Sequence, residues 1–266
     1  IEALNEDYLL HNIFFTLDTV NRVVNDNWFN NWYDVHTDGM QALSYDPYHY
    51  LNIYTADLLS AGVQGFAYLG NQFAASHPQQ SVNLDHDRIN STWVVTHEVG
   101  HHLGLPQTYQ GDSSEPNDRI DDTPQHNESG LWSCNSSQDT CPNDPGNDPV
   151  RNHMNYSSCR DEFTPGQIAR MFWSIATYHP GYLENNFNYP HEVPITRSCG
   201  TQFGTRATEW ERGNTKPSIN SPPHPSNRWG EAPLNNNSQV LGGHRRSRTG
   251  HDSDVGRAGT GRNVLR

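Results

Sequence analysis

Residues 97–104 read His97-Glu98-Val99-Gly100-His101-His102-Leu103-Gly104, and the fold depends on how they are placed. Residues 91–103 carry a helical pattern. Asn90 or Ser91 can cap it, Val94, Val95, Val99 and Leu103 form an apolar stripe, and Gly104 stops it. At 3.6 residues per turn, His97 and His101 stack one turn apart on one face, while His102 lies about 100° away. Two imidazoles so placed can share one metal ion, and Glu98 beside them can take a proton from a water that the metal activates. Zinc suits such a site, because it accepts imidazole and brings the pKa of water towards 7. Neither histidine fits the apolar stripe, which weakens the alternative of two incidental histidines on a polar helix. A chance H-E-x-x-H arises in about three chains per hundred of this composition, and a glycine at 104 cuts that about tenfold.

Outward from this segment the pattern changes. Residues 11–24, rich in β-branched and aromatic side chains with imperfect alternation, predict a strand; residues 51–54 predict a second, and residues 81–84 a third at a sheet edge. Residues 106–151 have little periodicity and much Asp, Asn, Ser, Pro and Gly. A loop that long inside a domain calls for disulfides or bound metal. Thr164-Pro165-Gly166-Gln167 is a capping box with proline at the first helical position. It opens a helix that should place Ile168, Met171, Phe172 and Ile175 on one core-facing side.

The chain has 266 residues, 33% of them hydrophobic, with a mean hydropathy of −0.86. No run approaches the roughly 18 apolar residues of a membrane-spanning helix. The net charge of −13 argues against a nucleic-acid partner, which demands a basic face. That charge is an average of two unlike segments. Residues 1–195 hold 25 acidic residues against 6 arginines and no lysine, a net −19, whereas residues 196–266 hold 11 basic against 5 acidic, a net +6. The first segment reads as a core-building domain and the second as a polar, basic, disordered tail. Four cysteines (Cys134, Cys141, Cys159, Cys199) without a C-x-x-C pair permit two disulfides in three connectivities. Asn127 and Asn135 begin glycosylation-type triplets, which an Asn-rich chain also produces by chance. The chain starts at Ile1 with neither initiator Met nor signal peptide, as expected of a processed chain or a fragment.

The longer segment from His97 through Gln107-Thr108-Tyr109 resembles the metzincin zinc helix, in the version of the pappalysin branch (family M43, with the cytophagalysins and fungal secreted metalloproteases). Asn152-His153-Met154-Asn155-Tyr156 resembles the Met-turn of the same clan, and it precedes Phe163-Thr164-Pro165-Gly166-Gln167 in the family's order. The resemblance runs over about residues 5–178, including Asn12 to Phe29 as a strand ending in N-x-W-F, and the N-terminus looks truncated against the usual domain. It implies an α+β fold: a metzincin-like zincin domain with a mixed twisted sheet, an active-site helix and a Met-turn. It also implies zinc on His97 and His101, Met154 beneath the metal, and Tyr156 swinging towards the metal or the reaction's oxyanion. Gly104 would turn the chain so that a third ligand arrives, but the position of the family's third histidine is Gln107 here. A neutral amide is a weaker zinc ligand than imidazole; the neighbouring alternatives are Asp112, His126 and His153. Asp118 to Pro124 resembles an acidic loop that binds calcium in some members, with Asp118, the backbone around Asp121, and Thr123 as ligands. The family pattern pairs Cys134 with Cys159, leaving Cys141 for Cys199.

The expected function is therefore a secreted zinc endopeptidase. Glu98 is the general base, Tyr156 and the metal stabilise the oxyanion, and the peptide substrate adds as a strand beside residues 81–84. The alternative is a catalytically inactive metzincin fold that serves as a binding module, because Gln107 replaces the third histidine.

Overall fold

The computed structural model describes residues 1–110 and 118–184. Asp112, Cys199, the expected boundary at 195 and the basic tail lie outside the described residues. The elements are α1 (Glu2–Tyr8), α2 (Asp26–Leu43), β1 (Asn52–Ala56), β2 (Gly65–Ala67), β3 (Ser81–Asp85), α3 (Thr92–His102) and α4 (Pro165–Tyr178), an α+β architecture. The sheet is mixed, in the order β1-β3-β2, with β1 parallel and β2 antiparallel to β3. Among the described residues no helix is long and apolar enough to cross a membrane.

Strand β3 explains how the two faces are filled. Its sequence Ser-Val-Asn-Leu-Asp alternates as a half-exposed edge strand would, yet all five residues are buried. Val82 and Leu84 join the core formed with α1, α3 and α4, through Leu4, Tyr8, Val94, Val99, Met171 and Ile175. The polar residues face a second cluster under α2, built on Trp32, Met40, Tyr54 and Phe66. There Asn83 Oδ1 accepts from Trp32 Nε1 at 2.8 Å, so the polar face is buried without loss. The edge-strand expectation is thus corrected. β3 is the middle strand with both sides paired, and a substrate cannot add beside residues 81–84.

A second correction concerns residues 11–24. His11 ends a short 3-10 turn, Asn12 has φ 59°, and the chain onward to Asn25 has no regular structure. The side-chain amide of Asn5 takes both backbone groups of Phe15, at 2.9 and 2.7 Å. Ile13 and Phe15 pack on the first core and Val23 on the second, but Leu17 and Val24 are exposed, so the stretch packs through single residues rather than as one face of a strand. Trp28 and Phe29 belong to α2, not to a strand. That helix starts where Asn25 Oδ1 accepts from Trp28 N, and buries only Trp32, Gly39, Met40 and Leu43. Partly buried Trp28, Phe29 and Tyr33 extend that apolar side, which is interrupted where Asn31 leaves helical geometry.

Helix α3 lies within the expected span, although Ser91 caps it without a side-chain bond. The capping box of α4 forms as read: Thr164 accepts from Gln167 N and Gln167 reaches back to Thr164 N. Its buried side is Gln167, Met171, Ser174 and Ile175 rather than one including Phe172, which is exposed. Gln167 is accommodated because it makes a two-way amide pair with Asn152, at 2.8 and 3.0 Å. The Cys134–Cys159 bridge is formed, with its Cα atoms 5.9 Å apart. Cys141 is buried, and its expected partner Cys199 lies outside the described residues.

One close approach fixes α3 to the chain below it. A Cβ at Gly100 would stand 2.5 Å from Met154 Sδ, well inside van der Waals contact. Gly100→Ala should therefore lower stability by about 1–3 kcal/mol, read as a lower urea midpoint at constant m-value. An unchanged midpoint would contradict this packing.

Candidate metal centre

His97, Glu98 and His101 project from α3 into the interior and are fully buried. The two imidazoles stand nearly perpendicular, with centroids 4.6 Å apart. His97 Nδ1 lies 2.7 Å from the carbonyl oxygen of His153, and His101 Nδ1 lies 2.7 Å from that of Leu105. A carbonyl oxygen only accepts, so each Nδ1 carries the proton and each Nε2 keeps its lone pair. The two Nε2 atoms face each other at 3.1 Å. Lone pairs held that close in a buried site repel, and a shared cation converts the repulsion into attraction. Hydrogen-bonding the remote nitrogen is also how proteins orient metal-binding histidines. The residues present therefore fit a zinc ion.

Gly104 makes the next step possible. Its φ of +92° is one that an L side chain adopts only with strain. The turn lets Leu105 N bond back to Gly100 O at 2.9 Å, which aims the Leu105 carbonyl at His101. It also returns Gln107 to the site, with Nε2 3.0 Å from His101 Nε2 and 3.0 Å from the Tyr156 hydroxyl. Gln107 Oε1 is buried without a hydrogen-bond partner among the described residues. Rotating the amide by 180° would exchange its two ends. Oε1 would then accept from the Tyr156 hydroxyl and offer a lone pair beside the histidines.

Of the alternative third ligands, the two that are described, His126 and His153, do not converge there. His126 Nε2 is bonded to Thr108 Oγ1 at 2.8 Å, and His153 Nε2 faces Asp7 at 3.9 Å. Among the described residues the one gathering of three His, Cys, Asp or Glu ligand atoms is Asp85, His86 and Asp87. Asp85 is occupied there in accepting from the backbone of Leu58, Leu59 and Asp87. His102 points away from the pair, to the Tyr182 hydroxyl at 2.9 Å.

Around the histidines the electrostatics are set by burial. It pushes the Glu98 carboxyl well above the usual carboxylate range, with the positive charge of Arg160 opposing. Arg160 is itself buried and pushed down to about 10 by desolvation, with Glu98 acting against it. Its Nη1 donates to Asn155 O at 2.7 Å and stands 3.4 Å from His97 Nδ1. Sequence reading missed Arg160, since an arginine after a cysteine carries no signal of burial. Tyr156 is raised to about 12, first by burial and then by Glu98, with the Tyr109 hydrogen bond and Arg160 opposing. It therefore keeps its proton at neutral pH. Its ring lies 5.6 Å from His97 and 5.3 Å from both Tyr109 and Trp132. Met154 is fully buried under Gly100.

Of the three residues expected to bind calcium, two come together. Asp118 is buried, its Oδ1 accepts from Ile120 N at 3.0 Å, and Thr123 stands beside it. Asp118 Oδ2 and the Thr123 hydroxyl lie outside regular hydrogen-bond geometry. Asp121 is exposed. Its neighbour Asp122 instead accepts from Thr164 Oγ1 at 2.6 Å and from Gly166 N at 2.8 Å, at the start of α4.

Known proteins place these features in context. The family model of peptidase M43, described as pregnancy-associated plasma protein-A, matches residues 34–176. An extracellular metalloprotease of Pyricularia oryzae is 37% identical over 68% of this chain and 67% of its own length. One of Verticillium alfalfae is 35% identical over 65% of this chain and 66% of its own. The chain thus spans about two thirds of the length of these relatives. Mature mirolysin of Tannerella forsythia, solved with a cleaved peptide, shares 24% identity over 52% of this chain and 58% of that one, at a TM-score of 0.45.

The Asp118 carboxyl is raised to about 7, mainly by burial, against an ordinary value of 3.8. Between about pH 4 and 7 the unfolded chain has released this proton while the folded chain still holds it. In calcium-free buffer its contribution therefore falls as pH rises through that window. Asp118→Asn should gain stability relative to wild type between pH 4.5 and 7, measured by urea unfolding. Parallel pH profiles for the two proteins would contradict the assignment.

Proposed function

Because the chain belongs to peptidase family M43, the pappalysin branch of the metzincins, we propose that it is an extracellular zinc endopeptidase. His97, His101 and Gln107 Oε1 form the zinc-holding set in this reading, and Glu98 and Tyr156 carry the proton and hydrogen-bond chemistry. The observation that supports it most is the pair of Nε2 lone pairs facing each other at 3.1 Å with both Nδ1 protons engaged. The names of the fungal relatives support secretion, and the Cys134–Cys159 bridge suits an oxidising compartment.

Bound zinc would supply Lewis acidity, which makes a water acidic near neutral pH and draws charge from a peptide carbonyl. The chain's own groups do the rest. Glu98 takes the proton of the attacking water on its carboxylate, then returns it to the leaving amine. Arg160, beside Glu98, favours the ionised carboxylate against the burial that opposes it. Tyr156, protonated at neutral pH, donates its O–H to the oxygen on which charge develops. Met154 keeps the role of a packing floor beneath α3. An extended substrate would lie along β2, the edge strand beside Glu98. A Cβ at Gly65 would stand 2.9 Å from Glu98 Cγ. Asp118, the backbone around Asp121, and Thr123 form a proposed calcium site, for which the buried oxygens of Asp118 and Thr123 speak.

Zinc per chain and casein cleavage, measured on wild type, Glu98→Ala and Gln107→His, test the reading. Wild type should hold one zinc and cleave casein. Glu98→Ala should hold zinc and lose about 100-fold or more of the activity. Gln107→His should bind zinc more tightly. Activity that persists in Glu98→Ala would overturn the mechanism. No zinc and no cleavage in wild type, with both gained in Gln107→His, would establish instead the inactive fold that works by binding.

A further inference from the structure

We infer that Trp132 is a specificity-determining residue: its indole grips a bulky apolar side chain of the bound peptide close to the bond to be cut. The inference rests on the endopeptidase reading only in taking the ligand to be a peptide.

Two independent observations carry it. The first is position. Trp132 is 58% exposed, yet its ring sits 5.3 Å from that of Tyr156, tilted by 36°. The Tyr156 hydroxyl is 3.0 Å from Gln107 Nε2, which is 3.0 Å from His101 Nε2. One ring therefore separates a solvent-facing indole from the metal-holding set. A lone exposed tryptophan on a surface is ordinary; one seated on the tyrosine of the candidate site borders whatever that site binds.

The second is the backbone. Trp132 has φ +72°, in the left-handed region that bulky side chains avoid. The chain is held on both sides of it. The 3-10 turn Glu128–Gly130 comes just before it, with Leu131 N bonded to Glu128 O, and the Cys134–Cys159 bridge follows two residues later. Glycine or asparagine would sit there with less strain. A strained position occupied by a large side chain that is mostly outside the core points to a role outside folding. A flat indole with a wet face offers apolar area and a π surface at little entropic cost, which suits an aromatic or large aliphatic partner. The substrate class is thus a polypeptide with a Phe, Tyr, Leu or Met flanking the scissile bond, rather than one with Ala or an acidic residue there.

The test separates gripping from cleaving. Fluorescein-labelled peptides identical except for Phe, Ala or Asp at one central position are titrated into zinc-supplied, full-length Glu98→Gln protein, with binding read by anisotropy. The same peptides are then offered to the protein with Glu98 intact. The Phe peptide should bind at least tenfold more tightly than the Ala peptide. Adding Trp132→Ala should bring that ratio below about threefold, and Trp132→Phe should largely restore it. Trp132→Gly should lose the ratio as Trp132→Ala does while melting at a higher temperature, since both lack the indole and only glycine relieves the backbone. A uniform loss across all three peptides would assign Trp132 to holding Tyr156 and overturn the inference, as would an unchanged ratio. If wild type cleaves nothing but the Trp132-dependent ratio persists, the endopeptidase reading fails and this inference stands. If wild type cleaves both Phe and Ala peptides equally, with no Trp132 effect on binding, the reverse holds. Absence of any binding overturns both.

Discussion

Two hydrogen bonds to backbone carbonyls, from His97 to His153 and from His101 to Leu105, set the chemistry of this protein. They fix which nitrogen of each ring is protonated, and so leave both lone pairs pointing at one place. Each carbonyl is held by a separate part of the fold. That of Leu105 depends on Gly104, whose positive φ folds the chain back over the last turn of α3. That of His153 depends on the turn at residues 152–155, where Met154 N is tied to Asn152 Oδ1 and Asn152 to Gln167 of α4. The capping box of α4 thus acts at a distance: it fixes Gln167, which fixes Asn152, which fixes the carbonyl that orients His97. Such a chain of buried polar groups is stable only when all of its members are satisfied.

The replacement of a histidine by Gln107 changes the balance without emptying the position. An amide is pseudo-symmetric, and Tyr156 beside it can accept from one end or donate to the other. With Oε1 turned inwards, the Tyr156 proton is drawn to the amide and away from the oxyanion role proposed for it. Under the proposed function, ligation and catalysis then draw on one hydroxyl. Arg160 adds a second tension, because it favours an ionised Glu98 while placing positive charge near a cation site. In the proposed zinc-binding reading, these opposed interactions bear on metal affinity alongside ligand count.

The most legible parts of the sequence were those where one local rule acts alone. The helix around His97 and the capping box at Thr164 are set by spacing and hydrogen-bonding rules confined to a few residues, and the structure has both. Strand β3 was misplaced because burial of Ser81, Asn83 and Asp85 depends on partners far along the chain, among them Trp32 of α2. Residues 11–24 show the converse. Their β-type composition is real, but among the described residues no strand pairs with them, and the amide of Asn5 supplies at Phe15 the partner that a strand would. Helix α2 escaped although it has an apolar side, because polar residues interrupt the run of Trp28, Phe29, Trp32, Tyr33, Met40 and Leu43 and the backbone leaves helical geometry at Asn31. In the site, the pairing of His97 and His101 on one face was readable from i,i+4 spacing. The burial of Arg160 and the strained backbone of Trp132 were not, since both are consequences of the tertiary fold.

Nitrogen-15 NMR of the His97 and His101 side chains, recorded before and after zinc addition at neutral pH, tests the central claim most directly. In the zinc-loaded protein both rings should carry their proton on Nδ1, and the zinc-induced shift should fall on Nε2 of each, in wild type as in a Gln107→His control. Zinc-induced shifts at Nδ1, or Nε2 signals of both rings that remain unchanged at saturating zinc, would contradict the account.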